Sequence, residues 1–228
     1  MKREGAAAAG ILALFFALRI PLLHYRQPFF DELFTRWISA KSFVDIVAAL
    51  RYDSGPPLYY FLVHVVPFAR DISFYASLIA VLLLLRNQHF LAAASVTVFP
   101  PSVLFAADAR SYALCALFVT IGVLYEKYDA IAFVLAAYSH FYGVLFFPLL
   151  IRKPKSLALA IVLFAPGFAL AAVQPAAARQ WMTFAWPEAL FVRPPLALAI
   201  LGGVALVCLC VAPPTRRRVE HAEQATAA

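Results

Sequence analysis

The chain has 228 residues, of which 64% are apolar and 14% charged, and its mean hydropathy is +0.83. Soluble domains contain about 45 to 50% apolar and about 25% charged residues, so this composition excludes an ordinary soluble domain and indicates a polytopic membrane protein. The formal net charge of +7 comes from cations scattered between apolar runs, which argues against a nucleic-acid partner.

Seven apolar runs are candidates for membrane spans, each of which takes about 20 apolar residues, or fewer where the bilayer is thin. The runs are 7–24, 72–85, 88–106, 111–125, 129–151, 156–173 and 195–212. The first follows a basic N-terminus, as in a signal peptide, but its apolar part is too long, so we interpret it as a retained span. The three cysteines lie inside apolar runs, so we expect packed thiols and no disulfide framework.

Cations between the runs predict the topology, because cytoplasmic loops are enriched in lysine and arginine. The cytoplasmic candidates are Lys2/Arg3, Arg86 with His89, Glu126/Lys127, Arg152/Lys153/Lys155 and Arg216/Arg217/Arg218. With the N-terminus in the cytoplasm, the loop 25–71 is predicted on the extracytoplasmic side of the membrane. The polar tail 216–228 is then expected to be cytoplasmic and disordered.

The run 129–151 has two interpretations, because polar residues interrupt it around His140. It crosses the membrane either once or as two short tilted helices that bend at His140 on the outer side. Only the second version keeps the later basic clusters inside. We therefore predict eight crossings of the inner (plasma) membrane, with both termini cytoplasmic.

Two segments of the external loop are amphipathic. Apolar residues recur every three or four positions from Phe30 to Leu50, which predicts one helix lying along the membrane interface. The stretch "PPLYYFLVHVVPFAR" from Pro56 has only about a dozen apolar residues, too few to cross, and predicts a second juxtamembrane helix that Arg70 ends. The turn-prone "RYDSGPP" joins the two helices.

Ionisable side chains collect on the predicted outer face, and such groups at membrane depth point to function. This face holds Asp31, Glu32, Asp53, Arg70, Asp71, Asp108, Arg110 and His140, with Tyr59, Tyr60, Tyr112 and Tyr142 nearby. Several of them also have a structural explanation, such as a hydrogen bond of His140 within a bent helix. Asp31 and Glu32 lie in the first turn of a predicted helix, where the helix dipole stabilises acidic side chains. Glu32 also lies one turn before Arg36, with which it could form an ion pair. Asp108 is a possible neutralising neighbour of Arg110.

Four strings occur in the order "FFDELFTRW", "DSGPPLYYFLVH", "AADARSYALCALF" and "YSHFYGVLFF". Together they resemble the GT-C superfamily of integral-membrane glycosyltransferases, in the branch of protein O-mannosyltransferases and bacterial lipid A aminoarabinose transferases. The resemblance covers residues 1–175. It implies an all-α polytopic bundle of eight transmembrane helices with two external juxtamembrane helices, in a domain 1–215 of near-minimal length.

The resemblance also implies a reaction. Such enzymes move a sugar from a polyprenyl phosphate carrier, usually with inversion, to a hydroxyl acceptor on a glycan, lipid or protein outside the cytoplasm. Asp31 matches the general base, and Glu32 would orient acceptor or sugar hydroxyls, although the reverse assignment stays open. Arg110 is the first choice and Arg70 the second for the cation at the donor phosphate. The other substrate-binding candidates are Asp108, Tyr112, His140, Asp53, and Tyr59 and Tyr60 in the carrier's groove.

Some GT-C enzymes bind a divalent ion through external carboxylates, and Asp31, Glu32 and Asp108 offer the oxygen ligands that Mg²⁺ accepts. The resemblance is closer to metal-independent members, so we expect no required cofactor. Many relatives are longer, have a histidine where this chain has Gly55, and have an arginine early in the span where this chain has "DISFYASLIA". These differences support an alternative: a catalytically inactive GT-C-like protein that binds or handles lipid-linked sugars or assists a partner. A secondary transporter is disfavoured, because no inverted repeat is detectable.

Overall fold

The computed structural model of the chain describes residues 2–52 and 55–174, and every regular element within these ranges is helical. The α-helices are α1 (Lys2–Tyr25), α2 (Phe30–Ser39), α3 (Phe43–Leu50), α4 (Leu58–Val65), α5 (Ala69–Arg86), α6 (Phe90–Val98), α7 (Pro100–Ala107), α8 (Tyr112–Leu124), α9 (Asp129–Ser139) and α10 (Pro154–Val173). Two 3-10 helices, Glu126–Tyr128 and Phe141–Leu150, flank α9. The all-α part of the predicted fold is confirmed for the described residues.

Two of these helices, α1 over Arg3–Tyr25 and α10 over Pro154–Val173, are long and apolar enough to cross a membrane. Two bent pairs could each form one further span: α4 with α5, bent by 115°, and α6 with α7, bent by 69°. By length and composition the described residues therefore contain two to four candidate spans. The predicted eight crossings stay a prediction, and the run 195–212 and the tail 216–228 lie outside the described residues.

The bend between α6 and α7 follows from the adjacent prolines Pro100 and Pro101. Prolines have no N–H, so the carbonyls of Val96 and Thr97, four residues earlier, lose their helical donors. Arg19 of α1 replaces both donors: Nη1 donates to the Thr97 carbonyl at 2.9 Å and Nη2 to the Val96 carbonyl at 3.1 Å. The Arg19 side chain is fully buried. This arginine therefore fixes α1 against the bent pair.

The segment predicted as one helix from Phe30 to Leu50 consists of two helices, so that prediction is wrong. Helix α2 ends at Ser39, and α3 begins after Ser42, whose hydroxyl accepts a hydrogen bond from the Asp45 N–H at 3.3 Å. Serine is favoured at this capping position because its oxygen satisfies an unpaired N–H of the first turn. The break therefore has a local cause that the apolar spacing does not reveal.

The run 129–151 is a hairpin in which the 3-10 helix Phe141–Leu150 folds back on α9, with His140 at the bend. Gly143 permits the close contact, because a Cβ at this position would collide with the backbone of α9. At the other end of the hairpin, the Lys153 Nζ donates to the Asp129 carboxylate at 2.9 Å. The two ends of the run therefore meet, as in the two-helix interpretation, while its crossing of a membrane stays a prediction.

The end of α10 is tied to the segment that contains α2 to α4. The buried Gln174 follows α10, and its Nε2 donates to the carbonyl of Leu50, the last residue of α3, at 2.9 Å. The start of α10 follows Lys153, at the open end of the hairpin. Helix α10 therefore runs from the hairpin ends to the neighbourhood of α3.

Candidate functional site

Three ion pairs join four segments at one end of the helical bundle. The pairs are Arg26 with Asp108, Arg70 with Glu32, and Arg110 with Asp31. Their side chains come from the end of α1, the first turns of α2 and α5, and the α7–α8 loop (residues 108–111). We call these six residues the charged cluster. The structure thus brings together five of the predicted site residues and adds Arg26.

Glu32 is fully buried, and protein groups occupy both of its carboxylate oxygens. Oε2 accepts from Arg70 Nε at 3.1 Å and Nη2 at 2.6 Å, and Oε1 accepts from the Ala109 N–H at 3.2 Å. Arg70 Nη1 also donates to the Arg26 carbonyl at 2.8 Å. Glu32 therefore holds the end of α1, α5 and the α7–α8 loop to α2. Its partner is Arg70 rather than Arg36, and Arg70 lies in the first turn of α5 instead of ending α4.

Asp108 pairs with Arg26 Nη1 instead of the expected Arg110. The Asp108 side chain is buried, and the Arg26 guanidinium also lies 5.0 Å from the centre of the Phe29 ring. The sequence reasoning missed Arg26. A signal was available, because a cation directly after the first span lies on the predicted outer side, where the positive-inside rule disfavours it.

Asp31 and Arg110 form the pair with the longest separation in the charged cluster, and we call it the open pair. Asp31 Oδ2 lies 3.8 Å from Arg110 Nη2, too far for a hydrogen bond, and the Asp31 side chain is 49% exposed. The Arg110 backbone is fixed, because Ser73 Oγ donates to its carbonyl at 2.9 Å. Burial alone would lower the pKa of Arg110, but neighbouring phenol groups and the Asp31 carboxylate outweigh it and raise the pKa. The site therefore has an accessible carboxylate beside a permanent cation.

Tyr112 and His140 lie on the side of Arg110 that faces the hairpin bend. The Arg110 guanidinium carbon is 6.0 Å from the centre of the Tyr112 ring, and the Tyr112 and His140 ring centres are 4.7 Å apart. His140 Nδ1 accepts from the Tyr142 N–H at 3.2 Å, which assigns the proton of the neutral ring to Nε2. Burial, and then the charge of Arg110, lower the pKa of His140 to about 4. At neutral pH this histidine is a hydrogen-bond donor without charge.

Tyr59 and Tyr60 are buried, which does not fit their predicted place in a carrier groove. The Tyr59 hydroxyl donates to the Ala69 carbonyl at 2.8 Å and lies 2.9 Å from Ser73 Oγ. Ser73 in turn donates to the Arg110 carbonyl, so Tyr59 packs directly beside the residue that fixes the Arg110 backbone. Tyr60 packs in the apolar cluster of Ile38, Ile46 and Leu50. The predicted site residue Asp53 lies outside the described residues.

The carboxylates considered as metal ligands do not converge. In the described ranges, no group of three or more His, Cys, Asp or Glu side chains is placed to hold a metal ion. Glu32 and Asp108 face arginines, and Asp31 is the exposed member of the three. The expectation that transfer requires no metal stays a prediction.

Within the described ranges the structure defines an all-helical protein whose apolar helices are compatible with a membrane protein and whose charged cluster lies at one end of the bundle. No family model, curated protein or solved structure matches the chain. The resemblance to the GT-C superfamily therefore rests on the four sequence strings.

Proposed function

We propose that the protein is a glycosyltransferase that moves a sugar from a polyprenyl phosphate carrier to a hydroxyl acceptor on the extracytoplasmic face of the membrane. The observation that carries the proposal is the exposed Asp31 carboxylate 3.8 Å from the Arg110 guanidinium, at the ends of apolar helices. Attack on a sugar whose leaving group is a phosphate needs a proton acceptor and a fixed positive charge. These two side chains supply both groups.

In the proposed reaction Asp31 accepts the proton of the acceptor hydroxyl as its oxygen forms a bond to the anomeric carbon. The bond between this carbon and the phosphate oxygen breaks, and the phosphate leaves with the electron pair. Arg110 stabilises the negative charge that develops on the phosphate, because a guanidinium binds two phosphate oxygens at once. Attack from the face opposite the leaving group inverts the anomeric configuration.

The contacts favour Arg110 over Arg70 as the phosphate ligand. The N–H groups of Arg70 donate to Glu32 and to two carbonyls at the end of α1. Arg70 and Glu32 are therefore assigned as positioning residues that keep the α7–α8 loop, and with it Arg110, next to Asp31. Glu32 does not contact the substrate in this assignment.

Tyr112 and His140 extend the site beyond Arg110. The neutral His140 can donate from Nε2 to a sugar hydroxyl or a phosphate oxygen, and the Tyr112 hydroxyl can do the same. Aromatic side chains with a polar group suit the boundary between apolar helices and water. We assign both to binding of the donor.

The test is transfer by purified protein from labelled polyprenyl phosphate sugars to a panel of hydroxyl acceptors. Because a positioned general base contributes about 10²- to 10⁴-fold, Asp31→Asn should lose at least about 10²-fold in transfer rate. The matched control is Asp45→Asn, which removes an exposed carboxylate of α3 and should transfer like the wild type. Equal transfer by Asp31→Asn and the wild type would eliminate Asp31 as the base.

Donor binding without transfer by the wild type would favour the alternative, a protein that binds or handles lipid-linked sugars without catalysis. Chelation with EDTA provides a second readout in the same assay. We expect no change on chelation, and loss of transfer that Mg²⁺ or Mn²⁺ restores would contradict the expected independence from metal.

A further inference from the structure

The three ion pairs of the charged cluster differ in the burial of their carboxylates and in the distance between their charged groups. The Glu32 carboxylate is fully buried against Arg70, and the Asp108 carboxylate is nearly so against Arg26. The Asp31 carboxylate, by contrast, is half-exposed and does not reach hydrogen-bond distance of Arg110. Among the described residues of the cluster, Arg110 is therefore the cation whose partner is least firmly held.

This difference decides which pair can open. Separating a buried pair leaves an unpaired charge away from water, which is strongly unfavourable. In the Asp31–Arg110 pair the Asp31 side chain is 49% exposed, so its carboxylate is solvated when it leaves, and Arg110, which is 20% exposed, then needs a new anionic partner. Meanwhile the Arg110 backbone stays fixed through Ser73, so its guanidinium can turn to a new partner without movement of the loop.

We propose that Asp31 and the phosphate of a polyprenyl lipid compete for Arg110, so that the arriving phosphate displaces the Asp31 carboxylate from the guanidinium. The inference rests on the proposed function and adds a binding order to it. The donor binds first, and the released Asp31 oxygens then accept the hydrogen bond of the acceptor hydroxyl. When no donor is bound, the Asp31 carboxylate still faces Arg110 and is not free to accept the hydrogen bond of the acceptor hydroxyl.

The experiment measures the dissociation constant of a fluorescent polyprenyl phosphate for the purified protein in detergent. If Asp31 competes for Arg110, Asp31→Asn should bind the lipid about two- to fivefold tighter than the wild type, as expected for loss of one open ion pair. Unchanged or weaker binding would overturn the proposal. Arg110→Ala should weaken binding by about tenfold or more, and unchanged binding there would overturn it as well.

Two controls separate competition from general repulsion between negative charges. Asp45→Asn removes the same charge from α3 and should leave the dissociation constant unchanged. In the Arg110→Ala background, Asp31→Asn should no longer tighten binding, because the group for which they compete is absent. A gain that persists there would show repulsion without competition and would contradict the proposal.

Two further ligands identify the source of the phosphate. The corresponding polyprenyl alcohol should show no gain with Asp31→Asn, whereas inorganic phosphate should show the same direction of change at much lower affinity. A gain with inorganic phosphate alone would overturn the lipid assignment. Failure of the proposed function is a separate result: tighter lipid binding by Asp31→Asn without transfer by the wild type would keep the competition and reject the enzyme.

Discussion

Asp31 and Glu32 are adjacent in the chain but have opposite surroundings. Neighbouring residues on an α-helix point about 100° apart, so one side chain can face the core while the other faces outward. Glu32 is buried against Arg70, and Asp31 is half-exposed beside Arg110. Two carboxylates that are equivalent in the sequence thus take different roles, one in positioning and one in the proposed chemistry.

Removal of Glu32 should destabilise the fold strongly. Glu32→Ala leaves the Arg70 guanidinium without its buried counter-charge, and loss of one member of such a pair costs about 3–5 kcal/mol. Unfolding measured in detergent should show this decrease, whereas Asp45→Asn should change the free energy of unfolding by less than about 1 kcal/mol. Glu32→Ala with Arg70→Met should cost less than Glu32→Ala alone, because the unpaired charge is gone. A double variant as unstable as Glu32→Ala alone, or less stable, would contradict this explanation.

The pKa of His140 predicts how stability depends on pH. Burial and the charge of Arg110 lower this pKa from 6.5 to about 4. Well above pH 6.5 the imidazole is neutral in both the folded and the unfolded chain, so its contribution does not change with pH. Between about pH 6.5 and 4 the unfolded chain binds the proton first, and stability falls by up to about 3 kcal/mol, at about 1.4 kcal/mol per pKa unit.

His140→Gln removes this titration while keeping a side-chain hydrogen-bond acceptor. Thermal unfolding in detergent should therefore show a shallower loss of stability for His140→Gln than for the wild type as the pH falls from 7 to 4.5. The same dependence on pH in both proteins would show that His140 does not titrate with a lowered pKa. The carboxylates titrate in both proteins, so the difference between the two curves isolates the imidazole.

At the scale of elements, the sequence predicts the long helices well and the breaks less well. The runs 7–24 and 156–173 correspond to α1 and α10, because long apolar stretches identify spans by themselves. The break between α2 and α3 was missed, because the three- and four-residue spacing of apolar residues continues across it. Its cause is the cap at Ser42, whose hydroxyl accepts from a backbone N–H and leaves the spacing of apolar residues unchanged.

The bend between α6 and α7 depends on Arg19 as well as on the prolines, which a double-mutant cycle can test. Arg19→Met should cost about 2–4 kcal/mol, because a buried carbonyl and a partly buried one lose their donors. With Pro100→Ala and Pro101→Ala, helical N–H groups become available for both carbonyls. In that background Arg19→Met should cost at least about 1 kcal/mol less.

The control is Arg36→Met, because Arg36 is exposed on α2 and its loss should change stability little in either background. The measurement is the free energy of unfolding, in one detergent, of the four proteins of the cycle and of the two Arg36→Met controls. An equal cost of Arg19→Met with and without the prolines would mean that Arg19 stabilises the protein in another way.

At the scale of the whole molecule, local patterns identify the candidate groups but not their partners. Glu32 was considered with Arg36, four residues away, whereas its partner is 38 residues away on α5. Tyr59 and Tyr60 carry polar groups suited to an interface, but packing of α4 on α5 and α3 buries both. Which segments meet depends on the packing of several helices at once. Local spacing in a single sequence does not predict these long-range contacts.

The predicted topology is tested by cysteine labelling in intact cells with a membrane-impermeant maleimide. Tyr52→Cys, at an exposed position after α3, should be labelled from outside, and Ala228→Cys in the tail should react only after permeabilisation. The unsubstituted chain controls for reaction of its own three cysteines. Labelling of Ala228→Cys from outside would contradict an even number of crossings.

The contacts of Arg19 also bear on the order of events during synthesis. The carbonyls that it binds belong to residues 77 and 78 positions later, so they do not exist when α1 leaves the ribosome. At about 5–20 residues per second, the partners follow roughly 4 to 16 s after the arginine. Until then α1 holds a cation without its final hydrogen bonds, and an arginine in that state is costly in a bilayer. If α1 crosses the membrane as predicted, Arg19 therefore gains its final hydrogen bonds only after α6 has been synthesised.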